Sequence, residues 1–140
     1  MASARLIDTR HGIGTPAVRL PAGQMLRVPV LGRGGVPGSG VGAVALNVTS
    51  VLPSKAGHAT VWPCGLPRPD TSSVNFVPGG VFPNAVVVPV DSTGEVCVWT
   101  YSETDVLVDV SAWFGGAGSI GVASSRLVDT RHGIGPIPPR

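Results

Sequence analysis

The chain has 140 residues, among them 20 glycines and 14 prolines, with 43% hydrophobic residues, 13% charged residues and a formal net charge of +2. This is too apolar for a disordered chain and enough for one compact core, while the frequency of helix breakers excludes a helical protein and leaves short strands joined by tight turns. The basic residues, all arginine except Lys55, are scattered singly against the acids, and stacking aromatics are few, so nucleic acid is excluded as an expected partner. No stretch reaches the roughly 18 consecutive apolar residues of a membrane span, and the opening MASARL has neither the charged nor the apolar region of a leader.

In chain order, residues 5–9 read as a first short strand and 24–31 (QMLRVPVL) as a second, with Pro29 suited to an edge. Residues 32–42 (GRGGVPGSGVG) are loop. Residues 43–49 alternate, with Val44, Leu46 and Val48 on one face and Ala45, Asn47 and Thr49 on the other. Residues 58–62 follow a turn; PCGLPRPD interrupts the sheet, SSVNFV resumes it and PGGVFPN interrupts it again. Residues 85–90 (AVVVPV) are nearly all apolar, as in a strand covered on both faces, and the turn at residues 91–94 is expected to join them to 95–101 as a hairpin. Residues 105–110 come next, with Val106, Val108 and Val110 inward, and Trp113 and Phe114 close the unit. Eight or nine such strands at this spacing predict an all-β antiparallel sandwich, of the jelly-roll or immunoglobulin-like kind, with essentially no helix.

The decapeptide RLIDTRHGIG at residues 5–14 returns as RLVDTRHGIG at 126–135, changed only from Ile7 to Val128. The period of about 121 residues is domain-sized, far beyond the roughly 20–50 residues of solenoid or propeller repeats, so it predicts an array of whole folding units. The expected organisation is a sandwich over residues 5–114, a Gly-rich linker over 115–123 and the start of a second copy over 124–140. Within that copy residues 126–131 are expected to form a strand, one that could be exchanged with a neighbouring unit.

RL(I/V)DTR-x-G-x-G, the step at Leu20 to Gln24, GRGGVP, V-x-ALNVT, HATVWPCG, RPDTSSVNF, NAVVVPV and DVLVDVSAWF occur in this order over nearly all of residues 5–114. In this the chain resembles a β-rich module found in tandem in, or appended to, secreted enzymes and surface proteins of actinobacteria. The resemblance implies a secreted or cell-surface, non-catalytic accessory or structural domain, with no ligand fixed by membership. Cysteines are not a hallmark of that module, so Cys64 and Cys97 are a departure from it.

Little else points to chemistry. Asp8 and Arg10, with Arg5, and their counterparts Asp129, Arg131 and Arg126, bring acid, guanidinium and imidazole close together, yet an ion pair tying the first strand to a loop explains them better than proton transfer does. No GxSxG, HExxH or paired-carboxylate pattern is present, and we expect no enzyme and no cofactor. His11, His58 and His132 make no metal-ligand set, two of them being one position in two copies, and no metal site is expected. Asp105 and Asp109 share a strand face, which suits hydrogen bonding better than calcium. Cys64 and Cys97, without His or Asp beside them, read either as a disulfide stapling neighbouring strands or as two buried thiols. Trp62, Trp99, Tyr101 and Trp113 would stack on sugar if exposed together and would be core if buried. The expected function is an extracellular structural or adhesive module whose partners are copies of itself; the alternative is a carbohydrate-binding module that attaches its host to cell wall or polysaccharide.

Overall fold

The computed structural model describes residues 2–118, 120–122 and 125–136. The expected linker and second copy therefore lie in part outside the described residues. Among the described residues eight strands are formed: β1 (Ala4–Asp8), β2 (Met25–Pro29), β3 (Val41–Val51), β4 (Gly57–Pro63), β5 (Val74–Phe76), β6 (Val81–Pro89), β7 (Glu95–Thr100) and β8 (Asp105–Gly115). Among the described residues the single helical element is a 3₁₀ turn at Gly116–Gly118.

The strands pair antiparallel in two four-stranded sheets, ordered β1-β8-β3-β6 and β2-β7-β4-β5. The neighbours include β1 with β8, β2 with β7, β3 with β6 and β4 with β5. This is the pattern of one long hairpin ribbon folded over on itself, and it makes the sandwich a jelly roll rather than an immunoglobulin-like fold. Its two ends, β1 and β8, lie side by side.

The inward faces follow the expected alternation. Val44, Leu46 and Val48 of β3, Val96 and Val98 of β7 and Val106, Val108 and Val110 of β8 are buried in one core together with Leu6 and Ile7 of β1. Branched side chains suit this pleated interior, because their few rotamers are already those the sheet imposes. At Ser111 the β8 ladder takes an extra residue, so that Ala45 faces Ala112 while Leu46 faces Val110, and the end of β8 is redirected beyond it.

Four expectations are corrected. Residues 85–90 are not covered on both faces: β6 is the outer strand of its sheet, Val87 is exposed and only Val88 is buried. Its two prolines, Pro83 and Pro89, fit this edge position, where a missing N–H need not break a second ladder. Residues 81–84, read as a break, are the first half of the same strand. The turn at Asp91–Gly94 forms, with Gly94 N–H donating to Asp91 O at 3.0 Å, but it carries the chain from one sheet to the other and joins no hairpin. Finally, residues 126–128 form no strand; among the described residues of the second copy the β contact is a bridge between Asp129 and Ile134. Among the described residues no strand pairs with it to supply the backbone partners that an extended segment needs.

Candidate functional site

The first copy of the repeated motif is built around one carboxylate. β1 ends at Asp8, and the chain turns back so that Asp8 N–H donates to Ile13 O at 3.0 Å and Ile13 N–H donates to Asp8 O at 3.1 Å. Into this turn the buried Asp8 side chain projects. Its Oδ1 accepts from the Arg10 amide and from Arg10 Nε, both at 3.0 Å, and its Oδ2 accepts from Arg10 Nη2 at 2.8 Å and Arg5 Nη1 at 3.1 Å, with His11 Nδ1 also 3.1 Å away. The Arg10 guanidinium above all, with His11 and the Arg10 amide, holds the Asp8 carboxyl well below the usual carboxylate range, against the opposing effect of its burial. The expected Asp8–Arg10 pair is therefore present, but through the curl of the turn: Arg10 lies beyond the strand, where the two residues share no strand face.

Neighbouring polar residues fasten this turn to β8. Arg5 grips Asp109 with two hydrogen bonds, Nε to Oδ1 at 2.8 Å and Nη2 to Oδ2 at 3.1 Å. Thr9 Oγ1 donates to Asp105 Oδ1 at 2.8 Å and accepts from Val106 N–H at 3.0 Å. Arg19 Nη1 holds the other Asp105 oxygen at 2.8 Å. Both acids of DVLVDV are thus taken up by arginines and a threonine, and among the described residues no group of three or more His, Cys, Asp or Glu is placed to hold a metal ion. From the Gly-rich loop, Arg33 Nη2 donates to Leu6 O at 3.0 Å, and Gly34 lies so close over β1 and β8 that a side chain there would press on Val110 at 2.8 Å. Arg33 and Gly34 were not legible as partners of β1, because nothing in a glycine-rich run says what it folds over.

The second copy repeats the turn. Asp129 accepts from the Arg131 amide and Arg131 Nε at 3.0 Å and from Nη2 at 2.8 Å, Arg126 Nη1 reaches it at 3.2 Å, and His132 Nδ1 lies at 3.3 Å. Arg131 is the chief cause that lowers the Asp129 pKa. The backbone bonds between Asp129 and Ile134 recur as well, at 2.8 and 3.1 Å. What does not recur is the burial. Leu6 and Ile7 are 1% and 0% exposed, whereas Leu127 and Val128 are 80% and 50% exposed.

The four aromatics are not brought together. Trp62 stands on the outer face of the second sheet but is buried, its indole N–H donating to Leu66 O at 2.9 Å in the loop that folds over it. Trp113 lies on the other sheet, across from Val44 at the end of β8. Only Trp99 and Tyr101 are neighbours, with ring centroids 6.3 Å apart, and His58 joins them, stacked on Tyr101 at 5.8 Å and tilted toward Trp99 at 5.5 Å. The Arg68 guanidinium lies 3.8 Å over the Trp99 ring. Tyr101 is 60% exposed and Met25, across from Trp99 on β2, is exposed too, so the outer face of this sheet carries a small amphipathic patch. The sequence reading missed His58 and Arg68 in it. His58 was legible in principle, since it alternates with Trp62 along one strand; Arg68 reaches the patch from a loop.

Cys64 and Cys97 are bonded, with Cα atoms 5.0 Å apart, joining the end of β4 to the middle of β7. The bond closes a loop across a sequence separation of 33, which in the chain-entropy picture stabilises the fold by about 3–4 kcal/mol. It lies beside Trp62, whose partner across the ladder is Cys97. A shallow groove of about 330 Å³ runs from Trp62 and the Leu66–Pro69 segment to the β6 edge at Val87 and Pro89. No described helix is long and apolar enough to cross a membrane.

Comparison of the chain with protein-family models, with characterised proteins and with solved structures finds no match.

Proposed function

We propose that the chain is a non-catalytic, extracellular structural or adhesive module of a tandem-repeat surface protein, in which the RL(I/V)DTR element is where one unit meets the next, head to tail. One observation carries this reading: the motif folds into the same carboxylate-centred turn twice, and in the second copy the apolar pair that β1 buries is left exposed. The polar residues that would be candidates for chemistry are occupied in holding the turn to itself and to β8. The disulfide suits an oxidising, secreted or cell-surface setting. The test is a longer chain in which a second copy of residues 15–114 follows Gly135. Two units that melt alike, with the elongated scattering profile of beads in line, are expected; a second unit that fails to fold would overturn the array.

A second reading, attachment to polysaccharide, is favoured by the cluster of exposed Tyr101 with half-buried Trp99 and His58, whose amphipathic rings suit the mixed polar and apolar surface of a sugar. Titration of the protein with a panel of soluble polysaccharides decides it. Saturable binding that Tyr101→Ala and Trp99→Ala abolish supports attachment, and absence of saturable binding leaves the purely structural module.

A further inference from the structure

Apart from Ala4, which is Ser125 in the second copy, the contacts that seat β1 come from residues that the second copy also possesses or differs in by one methylene. β1 is the outer strand of its sheet and its only ladder is with Leu107–Val110 of β8. Arg5 pairs with Asp109, Leu6 and Ile7 fill the core, and Thr9 bonds to Asp105 and Val106. Arg126, Leu127, Val128 and Thr130 are the same series, with one methylene fewer at Val128. They stand next to a turn already folded in the shape that follows β1, so little further ordering is needed for them to take its place.

The chain is also long enough to bring them there. β8 ends at Gly115, whereas Arg5 pairs with Asp109, six residues back along the strand and so about 20 Å away. Residues 116–125 span roughly 33–36 Å when extended. A tethered segment that reaches its site acts at an effective concentration on the order of millimolar, well above that of a second chain in dilute solution.

Each chain thus holds two copies of the plug and one place for it. We propose that the β8 edge is a socket that accepts either copy of the motif, and that a module deprived of β1 is closed by residues 126–135 of its own chain. In the intact chain β1 keeps the socket, because the extra methylene of Ile7 favours it over Val128 by about 2- to 10-fold. This inference rests on the repeated motif and the β8 edge alone, so it stands or falls independently of the array.

The experiment removes residues 2–13 and leaves the rest of the chain. That variant is expected to unfold cooperatively within about 10 °C of the full chain. Removing residues after Gly118 as well should abolish the cooperative transition, and a synthetic peptide covering residues 125–136 should restore it saturably. Leu127→Asp should abolish closure in the variant without β1 and leave the melting temperature of the full chain unchanged, which separates seating in the socket from nonspecific stabilisation. The proposal is overturned if the chain without β1 melts no better than the doubly shortened one, or if Leu127→Asp closes the socket as well as the parent does. Recovery seen only at high concentration, as an oligomer, would overturn closure within one chain.

Discussion

Residues 5–14 and 126–135 differ by one methylene, fold into turns whose matching hydrogen bonds agree to about 0.2 Å, and yet only the first begins with a strand. The turn is decided within the decapeptide. A carboxylate that finds an amide, two guanidinium groups and an imidazole within a few residues closes the chain around itself wherever the segment lies. The strand is decided outside it: Arg5, Leu6 and Ile7 are extended, and Leu6 and Ile7 buried, because β8 offers a ladder and the core offers a place, and Arg126, Leu127 and Val128 have neither. β structure is thus a property of a pair, whereas an aspartate-centred turn is a property of a sentence of sequence.

The comparison breaks most sharply at the leucines. In the chain shortened after Gly118, where no second copy can take the socket, Leu6→Asp places an unpaired charge in the core and should cost about 4 kcal/mol or more, enough to unfold the module, while in the full chain Leu127→Asp should not move the melting temperature; thermal unfolding followed by circular dichroism reads both. An effect of Leu127→Asp as large as that of Leu6→Asp would mean that the second copy is already seated in the core.

At the carboxylates the expected difference is smaller. Asp8→Ala removes the buried carboxylate that the Arg10 amide and the Arg5 and Arg10 guanidinium groups share, and in the chain shortened after Gly118 should cost about 2–4 kcal/mol by chemical denaturation, against no change in sandwich stability for Asp129→Ala in the full chain. The pH dependence has a definite sign. Because the folded pKa of Asp8 is depressed, its contribution is complete above the ordinary aspartate value near about 4 and is lost as pH falls below that toward the folded value. Stability should therefore decline on acidification below about pH 4, with a slope that Asp8→Asn reduces and Asp129→Asn does not.

Gly14 tests the turn itself. Its φ is +65°, and a Cβ there would meet Leu6 O at 2.1 Å, a clash with backbone that no rotamer relieves. The equivalent approach at Gly135 is 2.9 Å, to Leu127 O. In the chain shortened after Gly118, Gly14→Ala should cost about 1–3 kcal/mol, and in the full chain Gly135→Ala should leave the sandwich unchanged. Smallest of all, Ile7→Val makes the first copy identical to the second and should cost about 0.5–1.5 kcal/mol, whereas Val128→Ile should leave the melting temperature where it is.

The same division between local and distant causes explains what could be read from the sequence. The alternation of Val44, Leu46 and Val48 announced β3, and the valines of DVLVDV announced β8, since a period of two is written along the chain itself. β6 was misjudged because a strand covered on one face and a strand covered on both can carry the same apolar run: Val88 points into the core, whereas Val87 points to the outer face of its sheet and is exposed. The turn at Asp91–Gly94 was legible as a turn and not as a crossing between sheets, which depends on where β7 finds its partners. Trp62 and Trp99 lie on the same face of the same sheet, and what buries one is the 64–69 loop, whose path no alternation reveals. The disulfide was one of two readings; the pairing of β4 with β7 puts the two cysteines within bonding reach.

The nesting of β1 beside β8 has a mechanical consequence. Ala4 lies opposite Val110, and β8 runs on from there to Gly115, so the chain enters and leaves the module at one end of one ladder. Tension on the two termini then opens that ladder bond by bond like a zipper, instead of shearing all its hydrogen bonds together. Such a module should yield at low force in single-molecule pulling, and β1 should be the first part to let go, long before the disulfide-tied sheet bears any load.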